Sequence, residues 1–379
     1  MKNLQNLYLY TIIFVFTIIN FSCKRSQLLN ESGELIKIEY KNGEKFEWPQ
    51  TLEIKEIIKL QTDSNCIIGK IKKVIKTKDN FYILDDRLKT IFSFNKEGKF
   101  LFSIHQVGKG PHEYIETNDF CISFDKRVIY ILDYKKVLCF DAKDGAYLSS
   151  FSIDTSNSSG LNPLQILNPE KDLFIFWNNN PDTRNQKDGR YFYMFTYELG
   201  KITKFLPYSN YDVFNERLIN SYNKILIGSP NGFFDIFFFE NKSIHKYYSF
   251  DFGNLNLPSH YYPIRNREMN NKIQKLRFFK QIVNIRENSK FLSILFWGPD
   301  DDAYYEVLFN KLSKEVLSGR FQSNSFINIV ESDENDFYGL IEPSYLLNKN
   351  NSDNVICKLL TNVVTNEMDN PIIVKFRIE

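Results

Sequence analysis

Few residues in this chain are placed to do catalytic chemistry. The four histidines, His105, His112, His245 and His260, fall in no HExxH or other metal-ligand spacing, and no nucleophile elbow occurs. His112 beside Glu113 is the one acid/base pair in a loop-like stretch, where an imidazole could pass a proton near neutral pH. That stretch, Gly108-Lys109-Gly110-Pro111-His112-Glu113-Tyr114, has the composition of a backbone nest whose N–H groups cradle an anion. The reading we adopt for it is a tight connector between two blades. Asp300, Asp301 and Asp302 could offer oxygens to a hard cation such as Ca²⁺. Consecutive carboxylates point different ways, however, and the EF-hand spacing is absent, so a solvated loop is the reading we adopt. No metal or cofactor is implied. Trp177 and Trp297 each close an apolar run and are followed by Asn, Asp, Gly and Pro, Asn178 and Asp300 among them. An aromatic plate beside amides and carboxylates can stack on a ligand's apolar face and bond its polar edge, and sugars and peptides fit that description. The reading we adopt is that both rings wedge between blades as core, since most strand-end aromatics are packing. Asp85 and Asp133 also end apolar runs, where a carboxylate caps strand-end N–H groups or joins a ligand site.

These residues are positioned by a repeated pattern of strands. Residues 81–153 hold two copies, FYILDD/TIFSFNKEG/KFLFSI and IYILD/VLCFDAKDG/AYLSSFSI, with GKGPHEY between them. Asp133 follows Asp85 by 48 residues, and Gly145 follows Gly98 by 47. Aromatic and β-branched runs cut by turn residues favour strands. A strand repeat of about 40–50 residues is the period of a propeller blade. Further units start at DLFIFW (172–177), NKILIG (223–228) and FLSILFW (291–297). The sixth, from DFYGLI (336–341) to the C-terminal NPIIVKFRI, lacks its outermost strand, while LEIKEIIKL (52–60) is a strand without a blade. The pattern predicts an all-β fold: a six-bladed β-propeller closed by an N-terminal strand that completes the last blade. Closure removes the exposed edges that open sheets must protect. Residues 265–280 depart from the pattern, because Met269, Ile273 and Leu276 have helical spacing. They predict a short helical insertion, carrying six basic residues against Glu268, that either packs on the rim or meets a partner or membrane. Its narrow apolar stripe favours the rim.

In a four-stranded antiparallel blade, the link from fourth strand to next blade and the link from second to third strand leave on the same face. GKGPHEY and the 265–280 insertion are of the first kind, and the polar loop 178–190 and GPDDD (298–302) of the second. All long insertions are thus expected on one face, where function concentrates on a rigid scaffold.

The bulk numbers agree. At 379 residues and 43% hydrophobic, the chain can bury a large core, and a closed array overrides the prior of two or three domains that length alone suggests. With 48 basic and 46 acidic residues there is no concentrated basic footprint for nucleic acid. The N-terminus reads as an export signal: Lys2, then an uncharged run from Leu4 to Ser22, then Cys23 and polar KRSQ. Cys directly after the apolar core predicts the lipoprotein variant, with residues 1–22 as signal, Cys23 acylated, 23–50 as tether and 51–379 as propeller. The alternative is an uncleaved membrane helix. Cys66, Cys121, Cys139 and Cys357 form no CxxC pair, and the apolar contexts of three of them point to buried thiols.

Three motifs carry a family likeness: KLQTDSNCIIGKIKKV (59–74), EGKFLFSIHQVGKGPHEY (97–114) and the ending MDNPIIVKFRIE (368–379). Through them the chain resembles the six-bladed β-propeller lipoproteins of Bacteroidota, which look like relatives of NHL-repeat propellers. His112 stands where that family usually has Gly. The resemblance implies a cell-envelope address and supplies no reaction. KRSQ lacks the acidic run that resembles a surface-export signal in this phylum, which favours the periplasmic side of the outer membrane over the cell surface. The expected function is that of a monomeric envelope lipoprotein, held in the membrane through Cys23, with a face that binds a glycan, a peptide or an envelope protein. A hydrolase or lyase in the central depression of that face and a purely structural component are the alternatives.

Overall fold

The computed structural model describes residues 33–379 apart from 154–161, 179–191, 208–216, 230–232, 262–266, 301–303, 322–327 and 348–365. Two strands precede the first blade, β1 (Glu34–Lys37) and β2 (Leu52–Lys59). Blade one is β3 (Ile71–Lys76), β4 (Asn80–Asp85), β5 (Thr90–Asn95) and β6 (Phe100–Ile104). Blade two is β7 (Asp119–Ile122), β8 (Val128–Asp133), β9 (Lys136–Asp141) and β10 (Tyr147–Ser152). Blade three is β11 (Pro163–Glu170), β12 (Leu173–Asn178), β13 (Phe192–Glu198) and β14 (Lys201–Pro207). Blade four is β15 (Leu218–Asn220), β16 (Ile225–Gly228), β17 (Asp235–Glu240) and β18 (Ser243–Asp251). Helix α1 (Arg267–Gln274) leads to blade five, β19 (Gln281–Glu287), β20 (Phe291–Trp297), β21 (Tyr304–Asn310) and β22 (Val316–Arg320). Blade six is β23 (Asn328–Ser332), β24 (Phe337–Ile341) and, after helix α2 (Pro343–Leu347), β25 (Ile372–Ile378).

The ring closes as the sequence predicts. β2 pairs antiparallel with β25 from Leu52↔Ile378 to Lys59↔Ile372 and becomes the outermost strand of blade six. The first strand of each blade lines the axis. Second and third strands are apolar on both surfaces, because each blade is covered by two neighbours; β12 is buried at every position. Phe, Ile and Leu side chains fill the seams between successive blades.

The repeated glycines have a common cause. Gly98 and Gly145 adopt φ of +84° and +77° in the turn before a fourth strand. Each presses on the outer strand of the preceding blade: a Cβ on Gly98 would collide with the Lys59 carbonyl, and one on Gly145 would lie 2.7 Å from the Phe102 ring. Left-handed backbone and close approach together admit only glycine.

One expectation needs correction. From residue 33 the stretch predicted as part of a tether over 23–50 belongs to the fold, and residues 23–32 lie outside the described residues. β1 adds a fifth strand to blade four, parallel to β18 (Glu34↔Tyr248 to Lys37↔Asp251), and buries Ile36 and Ile38 among Tyr248 and Phe250. The strap then crosses blade five, where Phe46 N–H bonds the Arg320 carbonyl (3.0 Å) against Gly319. The sheet edges of blades four and five are thereby covered. The short helical insertion is present as predicted: α1 spans eight residues, and Met269, Ile273 and Leu276 pack on Leu257, Tyr261 and Phe278 at the rim. Arg265 lies outside the described residues.

Candidate functional site

The turns between first and second strands, and between third and fourth, are two to five residues long. The links on the opposite face run from two up to thirty residues, so all long connections do share one face. The sequence-predicted site residues belong to that face.

Most of them are spent on the scaffold. Asp85 is fully buried, and its carboxylate accepts from the backbone N–H groups of Gly69, Lys70, Arg87 and Leu88, the last two at 2.8 Å. Asp133 accepts from Ile115 N–H (3.1 Å) and Glu116 N–H (3.2 Å). Asn178, 3% exposed, accepts from Asn162 N–H. Each ties the chain entering a first strand to the end of the second. As ligand-binding groups all three are corrected to capping groups, since their acceptors are occupied and sealed from solvent.

The glycine-rich loop supplies its own anion. Glu113 Oε2 accepts from Gly110 N–H (2.7 Å) and lies so close to Gly108 that any Cβ there would overlap it. The nest is therefore filled by the carboxylate three residues on. Lys136 Nζ donates to the Pro111 carbonyl (2.8 Å). Tyr114 is wholly buried; its hydroxyl donates to the Lys89 carbonyl (2.8 Å), and burial pushes its pKa up to about 12. His112 has a negative φ, so it needs no glycine-like backbone, and it stacks on Tyr147 at 4.0 Å. Lys109 stays exposed. His112 and Glu113 thus face different partners and do not form an acid/base pair.

The two tryptophans do not make a plate. Trp177 is 1% exposed and stacks on Tyr193 (5.4 Å) within the seam cluster. Trp297, on another blade, is half-buried beneath the Lys280 ammonium (5.6 Å from the ring). Asp300 accepts from the Tyr40 hydroxyl (2.6 Å) and pairs with Arg277 (3.4 Å), so it clips the N-terminal strap to the segment after α1. Burial, then the Asp300 hydrogen bond, push the Tyr40 phenol up to about 12. Asp301 and Asp302 lie outside the described residues. Among the described residues no group of three acidic, His or Cys side chains is placed to hold a metal. Cys66, Cys121 and Cys139 are buried free thiols.

Sequence reasoning missed the axis. Polar side chains stitch neighbouring first strands into a belt. Lys73 pairs with Asp119 (2.9 Å), joining blades one and two, and Asp119 accepts from Ile166 N–H (2.9 Å) of blade three. Gln165 Oε1 accepts from Arg217 N–H (2.7 Å) of blade four, and Arg217 Nη1 donates to the Ile282 carbonyl (2.7 Å) of blade five. Arg286 Nε then donates to the Val330 carbonyl (2.7 Å) of blade six. Below this belt a cavity of about 320 Å³ opens at the short-turn face. It is lined by the ends of the first strands, with Lys76 and Lys126 from blades one and two, Asn220 and Tyr222 from blade four and Glu334 from blade six. No motif marks it, because its residues converge only once the ring has closed.

A family model described as a domain of unknown function, DUF4934, matches residues 34–377. The chain belongs to the DUF4934 family. The matched span begins at the first residue of β1, so the rim strap is part of the family unit. The DUF4934 propeller is similar to the crystal structure of a Bacteroides fragilis NCTC 9343 protein whose name describes it as exported. There the TM-score is 0.73 at 18% identity, covering 92% of this chain and 100% of that one. It is also similar to a member of the DUF4221 family from Bacteroides vulgatus ATCC 8482, with a TM-score of 0.57 at 11% identity over 86% of this chain and 98% of that one. At these identities the likeness is one of fold. No curated protein matches the chain.

Proposed function

We propose that this protein is a lipid-anchored binding component of the cell envelope. In this reading Cys23 holds the short-turn face toward the membrane, and the long-connection face is offered to an envelope protein or peptide. The observation that carries this is the parallel pairing of β1. β18 leaves a two-residue turn on the short-turn face and runs toward the long-connection face. β1 runs alongside it in the same direction, so the chain reaches Glu34 from the short-turn side. Glu34 also pairs there with Lys314, in a turn of that face (2.9 Å). Cys23 precedes Gly33 by ten residues, which reach at most about 35 Å when extended. A lipid on Cys23 would keep that face near the bilayer. Its turn tips carry Phe124, Leu199 and Leu312, exposed at 47%, 83% and 75%, which suit contact with a headgroup layer.

The opposite face carries a second apolar group. Leu88, Val107, Ile115 and Tyr134 are 41–49% exposed on the links of blades one and two, gathered around the glycine-rich loop. A protein or peptide surface is the partner such a patch fits. The burial of Trp177 removes the aromatic-plate argument for a glycan.

The test uses the full-length protein in its native envelope. Cys23→Ala should move it from the membrane to the soluble fraction. A photo-crosslinking side chain at Ile115 should yield protein adducts, and one at Lys143, on a short-turn tip, should not. Continued sedimentation of the Cys23→Ala protein with membranes would overturn the anchor. Adducts from Lys143 alone would overturn the choice of face.

A further inference from the structure

We propose that the axial cavity is a binding site for a small dipolar group with an ammonium at one end and an anionic oxyacid at the other. The groups left over at its mouth argue this. Lys73 and Arg286, deeper in, are committed to Asp119 and to the Val330 and Ile285 carbonyls. Asn168 is committed to Phe124 N–H and to two carbonyls. Asp333 is committed to Asn335 N–H, Asp336 N–H and the Tyr338 hydroxyl. At the rim the opposite holds. The Lys126 ammonium is exposed and has no acidic partner among the described residues. The Lys76 ammonium rests on the Tyr338 ring (4.8 Å), also without an acidic partner. The Glu334 carboxylate is exposed and accepts no hydrogen bond among the described residues. Burial, then the Glu287 and Glu334 carboxylates, raise the pKa of the Tyr222 phenol in the cavity lining. The Asn220 amide on blade four is also exposed.

The mouth therefore has a cationic side on blades one and two and an acidic side on blade six, with an amide and a phenol from blade four. Lys126 and Glu334 stand in the first-to-second-strand turns of blades two and six, and among the described residues no ion pair joins these unlike charges. A single ion would satisfy one side and meet repulsion from the other, whereas a dipolar group satisfies both. The cavity's volume is at the small end of ligand pockets and admits a dipeptide or a phosphoethanolamine unit. Either source presents the same chemistry, one as a free solute and the other as a lipid headgroup. The groups at this end of the axis are in place whether or not Cys23 carries a lipid.

The experiment is isothermal titration of the protein with alanyl-alanine, with phosphoethanolamine and with inorganic phosphate. Lys126→Asn removes the ammonium at a position whose φ of +65° asparagine tolerates, and Glu334→Gln removes the opposing charge. At least one dipolar probe should bind saturably, at least tenfold more tightly than phosphate. Each substitution should weaken it about tenfold or more without moving the melting temperature. Preference for phosphoethanolamine assigns the headgroup, and preference for the dipeptide assigns the free solute. Binding by neither probe, equal binding of phosphate, or indifference to Glu334→Gln would overturn the proposal.

Discussion

Glu306 on β21 should make the propeller less stable as pH rises. It is buried in the sheet, where its Oε1 accepts from the Ser293 hydroxyl (2.6 Å), and burial raises its pKa from 4.5 to about 8. An unfolded chain releases this proton near 4.5, while the folded chain keeps it until about 8. Between those values the folded state binds more protons, so stability falls with rising pH. The stabilising proton is fully held by both states below the lower value and is lost as pH passes through the upper one. Each pKa unit corresponds to about 1.4 kcal/mol, so the penalty is about 3 kcal/mol at pH 7 and about 5 kcal/mol above pH 9. Glu306→Gln keeps the acceptor for Ser293 and nearly the same shape but cannot ionise. Denaturant unfolding of both proteins at pH 5, 7 and 9 should show nearly equal midpoints at pH 5. The variant's midpoint should lie higher at pH 7 and higher still at pH 9. Parallel profiles across that range would refute the account, because they would mean that Glu306 ionises as readily folded as unfolded.

Three further substitutions test the scaffold. Asp85→Ala strips four part-buried N–H groups of their acceptor and should cost about 2–4 kcal/mol by denaturant melt, with the Asn variant losing less. Trp177→Ala should cost about 3–5 kcal/mol as a core truncation, and an unchanged melting temperature would return Trp177 to the candidate site. Ile36→Lys should undock β1 and bare the edge of β18, seen as faster proteolysis near residue 36 and concentration-dependent association by light scattering.

The blades were legible because their information is local. Runs such as FYILDD and TIFSFN declare strands within six residues, and the terminal half-blades declare each other by what each lacks. Trp177 fails as a candidate site residue for a reason that is also local. Trp177 stands beside Asn178 at the end of β12, and it is Asn178 that repeats the capping done by Asp85 and Asp133. Aligning Trp177 with those acids is a slip of one residue, which moves a side chain to the other side of a strand. The signal that corrects it was present: LFIFW has no polar position, as in a strand covered on both surfaces. β1 was not legible. ELIK is four residues between glycines and polar tracts, and it becomes a strand only because blade four offers it an open edge.

The axis was illegible for a deeper reason, and that reason bears on what the ring can do. Lys73 and Asp119 are 46 residues apart, Gln165 and Arg217 are 52, and Arg217 and Ile282 are 65. Each pair is about one blade apart, so no sequence window contains both partners. Closure through β2 and β25 joins the outer edge of one blade, whereas the belt joins inner strands of neighbouring blades. A propeller held only at its outer edge could splay at the centre. Bonds from one blade's side chains to the next blade's backbone oppose that splaying, and they occupy the deeper charges. What remains unpaired is pushed to the mouth, where Lys126 and Glu334 face solvent on separate blades. The same stitching that fixes the ring thus leaves its unspent charges at one end of the axis, in fixed positions, around the space where a ligand fits.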